Sequence, residues 1–228
     1  MPWKLEHVGE RKESRVVLAL DYFKGGDPLA YWTHLLGRTA HLLAGVKIGL
    51  PAFMRAGPTG VASLIEGYRD DLYFLADFKL ADIGDIVSEE LSLLEALGFD
   101  GAIVHLFPRC LSKVPAVSLN VFGLVSMTCP NSLVDAHFQE LLDYASELGL
   151  RGLVVAATKP SAIRAARERL REAVILSPGV GVQGAPPASA LRAGADFEIV
   201  GRSVVLAEDP LSELERIVEA QRVVLRGG

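Results

Sequence analysis

Eight times along this chain a short apolar run of strand length gives way to a segment with helical spacing, or to the remnant of one. The runs are Arg15-Val-Val-Leu-Ala-Leu, Gly45-Val-Lys-Ile-Gly, Leu72-Tyr-Phe-Leu-Ala, Gly101-Ala-Ile-Val-His, Val121-Phe-Gly-Leu-Val-Ser-Met, Gly152-Leu-Val-Val-Ala, Ala173-Val-Ile-Leu-Ser and Asp196-Phe-Glu-Ile-Val. They are nearly continuous rather than alternating, as in strands buried on both faces of a parallel sheet. Between them, Pro28 to Leu43 carries Leu29, Trp32, Leu35 and Leu36 at helical spacing, with Pro28 in the first turn. Gly60 to Arg69, Ile83 to Leu97, Val134 to Leu148, Ser161 to Arg171, Pro187 to Ala193 and Pro210 to Leu225 are the other expected helices. Gly98 and Gly149 stand where a helix ends in a left-handed residue. Phe107 to Pro115 is too short for an ordinary helix, so the fourth helical unit is abbreviated. Leu50-Pro51 reads as a turn, and residues 1–14 as a leading arm or short helix. A doubly wound sheet would alternate in the same way. Eight strands in 228 residues, with no composition break or linker, favour a single α/β domain over residues 1–228, a (β/α)8 TIM barrel.

Composition removes several classes of function. The net charge is −5, so no basic surface points to nucleic acid. No apolar run is long enough to span a bilayer, and Met-Pro-Trp-Lys-Leu-Glu-His has no signal-peptide core, so a soluble, cytoplasmic protein is expected. Cys110 and Cys129 make neither a disulfide framework nor a metal-ligand pattern, and no His/Cys/Asp cluster has zinc-like spacing. Only two Asn and three Gln stand against abundant Arg and Glu, a thermophile tendency.

In a barrel the C-terminal strand ends share one mouth, where active sites lie. Strand one ends at Asp21, strand two carries Lys47, and strand three runs into Asp77 and Lys79, with Asp82 in the loop beyond. Asp77 and Lys79 are two apart, so an extended backbone would point both the same way. Charges at the end of a buried strand are costly unless they pair or do chemistry. Helix capping by Asp82 or Asp85 would explain the acids but not the lysine. Lysine is rare here, seven against sixteen Arg, and unlike Arg it can give up a proton. Strand five ends at Thr128. Strands seven and eight end in Ser177-Pro-Gly-Val-Gly-Val-Gln-Gly184 and Ile199-Val-Gly-Arg-Ser203. These suit a phosphate: glycines admit backbone N–H groups to the anion, and Arg202 can bind it bidentately. Gly179, Gly181 and Gly184 match the dinucleotide fingerprint in spacing but fall on the seventh strand, with no well-placed acidic ribose ligand following in a βαβ unit. His105, ending strand four, is read as structural or as a neighbour of the site. Ser203 has no nearby base to make it a nucleophile.

Leu18-Ala-Leu-Asp21, Val46-Lys-Ile-Gly49, Asp77-Phe-Lys-Leu-Ala-Asp-Ile83, Ser177-Pro-Gly-Val-Gly-Val-Gln183 and Val200-Gly-Arg-Ser203 together closely resemble the orotidine 5'-monophosphate decarboxylase family, of archaeal type. The resemblance runs from strand one to strand eight. It implies a homodimer of TIM barrels that converts orotidine monophosphate (OMP) to UMP with neither metal nor organic cofactor. By motif it implies that Lys47, Asp77 and Lys79 form the charged array of one subunit, while Asp82 and Ile83 reach into the partner's site. Asp21 and Lys47 would bind ribose hydroxyls, and Gln183, Gly201 and Arg202 the phosphate, Gln183 from a closing loop. Lys79 would protonate C6. Thr128 replaces the family's usual Ser and keeps a hydroxyl for the pyrimidine. Ile86 stands where a Thr often contacts the partner's ribose. Two alternatives remain: a Mg²⁺-dependent 3-keto-gulonate-6-phosphate-type decarboxylase sharing the Asp-x-Lys-x-x-Asp motif, and a non-catalytic nucleotide-binding barrel. The former would want a further acidic ligand near strand one or two, which Val46-Lys-Ile-Gly49 does not supply.

Overall fold

The apolar runs form eight parallel strands, which close in sequence order into a barrel; the computed structural model describes residues 2–227. In chain order the elements are α1 (Lys4–Lys12), β1 (Val16–Ala19), α2 (Pro28–Thr39), β2 (Gly45–Gly49), α3 (Leu50–Tyr68), β3 (Tyr73–Leu80), α4 (Gly84–Ala96), β4 (Gly101–His105) and β5 (Asn120–Leu124). The second half adds α5 (Leu133–Ala136), α6 (Phe138–Glu147), β6 (Gly152–Val154), α7 (Pro160–Arg169), β7 (Val174–Val180), α8 (Ser189–Arg192), β8 (Phe197–Val200), α9 (Arg202–Val205) and α10 (Pro210–Arg226). The expected TIM barrel is therefore present, and both faces of its strands are covered. Val17, Leu75, Phe122, Leu176 and Phe197 fill the interior. Val16, Val46, Phe74 and Ile175 face outward into the layer shared with Leu36, Ile65, Leu91 and Ile217 of the helices.

The polar opening segment has a definite place. Helix α1 inserts Leu5 into the interior cluster, and Trp3 meets Phe122 edge-on with ring centroids 5.2 Å apart. Lys4 pairs with Asp100 at 2.7 Å. The plug lies at the N-terminal end of the strands and leaves the opposite mouth open; Met1 lies outside the described residues.

Several boundaries differ from the sequence-based expectation. Leu50-Pro51 does not turn away but begins α3, since proline at the second helical position loses no hydrogen bond. Gly57 (φ 68°, ψ 167°) breaks that helix, and Pro58 opens its second part. The expected helix from Val134 is two helices, divided at His137 (φ −108°, ψ 22°). No helix lies between β4 and β5. Gly98 and Gly149 do adopt positive φ, 93° and 66°, just past α4 and α6. Among the described residues no helix is long and apolar enough to cross a membrane.

Candidate active site

Register carries the strand-end charges to one place. Ala19 pairs with Lys47 across β1 and β2, and Gly49 with Asp77 across β2 and β3. Alternation then makes Asp77 the next inward residue above Tyr73 and Leu75. Lys47 Nζ lies 2.8 Å from Asp21 Oδ2 and 2.8 Å from Asp77 Oδ2, and Lys79 Nζ lies 2.7 Å from Asp77 Oδ1. The result is a row of alternating charge, Asp21–Lys47–Asp77–Lys79, across three neighbouring strands. Lys47 and Asp77 are largely sealed from water, with side chains 7% and 11% exposed; Lys79, at 39%, opens onto the mouth.

Lys79 does not reach this position on an extended strand. The β3–β4 register slips between Ala76 and Leu80, where four residues of β3 oppose two steps of β4, and Lys79 has φ of 50°. This bulge turns Phe78 out against Phe53 and Phe99, and returns the lysine to the carboxylate it follows. A left-handed non-glycine residue costs on the order of 1–3 kcal/mol and persists where its surroundings hold it. Here the ion pair and the aromatic packing of Phe78 do so.

Burial favours neutral forms for Lys47 and Asp77, but each faces two opposite charges. For Lys47 the desolvation is outweighed by the charges and hydrogen bonds of Asp77 and Asp21, and its pKa is raised. For Asp77 it is outweighed by Lys47 and Lys79, and its pKa is lowered. Both stay ionised across the neutral range. Asp21 Oδ1 is buried without a hydrogen-bond partner, so one acceptor in the array is free for a ligand hydroxyl. Gly49 makes room for that carboxylate: a Cβ there would fall 2.0 Å from Asp21 Oδ1.

The same cavity takes in the other strand ends, lined by Tyr22, Ser126, Thr128, Gln183, Gly201 and Arg202 among others. Gly179, Gly181 and Gly184 have φ of 112°, 85° and 106°, and a Cβ on Gly179 would come within 2.9 Å of Thr128 Cγ2. Gln183 Nε2 donates to Thr128 Oγ1 at 3.2 Å, joining the loop after β7 to the one after β5. Arg202 lies over the Tyr22 ring, 5.6 Å from its centroid. Thr128, Gln183, Gly201 and Arg202 thus meet Asp21, Lys47, Asp77 and Lys79 in one cavity.

Asp82 and Ile83 do not. They are exposed at the start of α4, the Asp82 carboxylate accepts from the Ile83 backbone N–H at 2.7 Å, and neither lines the cavity. His105 lies to one side, edge-on to Phe107. Burial first, then the charge of Lys79, lower its pKa, so it is neutral. No three His, Cys, Asp or Glu side chains among the described residues are grouped to hold a metal. Tyr22, Ser126 and Lys159 are not among the site residues expected from the sequence, and Gly49 enters there only inside the Val46-Lys-Ile-Gly49 motif. Lys159 was open to the argument that picked out Lys47 and Lys79, being another of the few lysines just beyond a strand.

Residues 14–217 match the family model described as orotidine 5'-phosphate decarboxylase / HUMPS family. An orotidine 5'-phosphate decarboxylase of Aeropyrum pernix is 36% identical over 222 residues, covering 93% of this chain and 90% of the relative. One from Methanosphaera stadtmanae is 32% identical over 222 residues, covering 92% and 99%. The crystal structure of orotidine 5'-monophosphate decarboxylase from Metallosphaera sedula superposes with a TM-score of 0.78 at 33% identity, covering 92% of this chain and 99% of that one.

Proposed function

The chain belongs to the orotidine 5'-phosphate decarboxylase / HUMPS family, its reaction is the loss of CO₂ from OMP to give UMP, and we propose that Lys79 is the acid that completes it. The observation that carries this reading is the Asp21–Lys47–Asp77–Lys79 row, set in the same cavity as a glycine loop and an arginine suited to phosphate.

When the C6–carboxylate bond breaks, its electron pair stays on C6 as a poorly stabilised carbanion. An ammonium fixed beside C6 lowers the energy of that charge, then transfers a proton to it. Lys79 becomes neutral and regains its proton from water. Asp77 keeps Lys79 aimed, and Lys47 keeps Asp77 ionised. Asp21 and Lys47 hold the ribose hydroxyls, Thr128 the pyrimidine, and Gln183, Gly201 and Arg202 the phosphate. Phosphate binding closes the loop that carries Gln183, so binding energy remote from C6 contributes to the rate.

The working unit is a homodimer in the cytoplasm. Asp82 and Ile83 complete the partner's site, which accounts for their exposure and for their absence from the cavity of their own chain. Exposed Leu50, Met54, Ile83, Ile86 and Phe107, on successive segments beyond β2, β3 and β4, supply apolar surface for that contact. The paucity of Asn and Gln fits a thermophilic source. The Mg²⁺-dependent sister reaction and the non-catalytic barrel are not favoured, since the relatives above 30% identity bear the OMP decarboxylase name.

The test is loss of absorbance near the orotate band with OMP and EDTA-treated protein. Turnover should persist in EDTA and vanish in Lys79→Ala, while UMP binding survives. Turnover that needs Mg²⁺, or survives Lys79→Ala, would reject the assignment.

A further inference from the structure

The loop that presents Thr128 is gripped from behind by an ion pair that neither the charge row nor the phosphate end uses. Lys159, the residue before α7, donates from Nζ to the carbonyl oxygens of Met127 at 2.7 Å and Cys129 at 3.4 Å, the two neighbours of Thr128. The same ammonium lies 2.7 Å from Asp135 Oδ2 on α5. All three of its donors therefore have an acceptor. Asp135 in turn accepts from Ser126 Oγ at 2.6 Å and from the Met127 backbone N–H at 3.4 Å. Neither Lys159 nor Asp135 lines the cavity, whereas Ser126, Met127 and Thr128 all do. The pair is partly shielded, with side chains 29% and 20% exposed. Burial raises the carboxyl's pKa, but hydrogen bonds from Lys159 and Ser126 outweigh it and keep Asp135 ionised.

We propose that Lys159 and Asp135 are positioning residues for the base end of the cavity, setting the Thr128 hydroxyl at the height where it meets a pyrimidine. The loop after β5 has left the sheet, so no neighbouring strand N–H donates to the Met127 and Cys129 carbonyls; the Lys159 ammonium does so instead. One ammonium replaces that ladder on both sides of a single residue, and the hydroxyl between them is aimed as a consequence. The clamp acts directly on the base end; the phosphate is bound by the loops after β7 and β8, which meet Thr128 through the longer 3.2 Å hydrogen bond from Gln183. This rests on the assignment of Thr128 to the pyrimidine.

Binding of UMP and of ribose 5-phosphate, which lacks the base, separates the two ends of the site. Lys159→Met and Asp135→Asn are each expected to weaken UMP roughly tenfold, the size of one lost side-chain hydrogen bond. Ribose 5-phosphate should change by less than about twofold. Lys159→Met added to Thr128→Ala should cost nothing beyond Thr128→Ala alone, because the clamp acts through that hydroxyl. Asp135→Asn retains the shape of the loop and serves as the test if Lys159→Met does not fold. Equal losses for both ligands, no loss for either, or additive losses in the double variant would overturn the clamp. Wild-type protein that binds UMP no better than ribose 5-phosphate would overturn the reading of the site as a whole, and the clamp with it.

Discussion

Asp77→Asn is the most informative single change, because it preserves shape and removes only the charge that the lysines share. In the native site the Asp77 carboxylate lies 2.8 Å from Lys47 and 2.7 Å from Lys79. Removing one member of a buried ion pair costs roughly 3–5 kcal/mol when nothing takes its place. Two features reduce that here. Asp21 still faces Lys47 at 2.8 Å, and the asparagine carbonyl still accepts a hydrogen bond. Lys79 is 39% exposed and regains water, so its half of the loss is small. About 2–3 kcal/mol remains, or a fall in Tm of roughly 5–10 °C for a chain of this length. The pH dependence identifies the cause. The Asp77 pKa is lowered on folding, so its stabilisation is complete above the unfolded value of about 3.9 and is lost as pH falls through the folded value. The Tm gap between wild type and variant should therefore be full at neutral pH and shrink below about pH 4. Lys47 has a raised pKa, so its contribution is complete below about 10.4 and is lost as pH rises through its folded value. Turnover should fall at least about 100-fold, as when one preorganised charge-stabilising group is removed. A Tm gap absent at pH 7, or unchanged in strong acid, would refute the argument from charge.

Two other substitutions probe the ends of the cavity. Gly49→Ala would place a Cβ 2.0 Å from Asp21 Oδ1 and 3.4 Å from Lys47 Nζ; the carboxylate must move, and UMP affinity by calorimetry should fall roughly tenfold, one hydrogen bond's worth. Unchanged affinity would show that Asp21 does not hold the ribose. Arg202→Ala should weaken UMP roughly 30-fold, the value of a charge-assisted hydrogen bond, and leave uridine nearly untouched. Equal effects on both ligands would remove Arg202 from the phosphate site.

Much of this protein was determined by features local enough to read along the chain. The apolar runs, helical periods and terminal glycines depend on neighbours within a few residues, so strand count, barrel and most helices followed from them. The charged strand ends were legible too, because an Asp or Lys beside a buried run has few inexpensive explanations. Tertiary structure decided what depends on distance across the fold. Parallel register, not spacing, brought Asp21, Lys47 and Asp77 into one row. A bulge with a left-handed lysine, rather than an extended strand, returned Lys79 to Asp77. Leu5 joined the barrel interior only because a closed barrel has a lower end to fill. Gly49 is required by a carboxylate 28 positions earlier in the chain, and Lys159 grips a loop about 30 residues before it. Side chains so far apart in sequence share no local period, and their contact is an outcome of barrel closure.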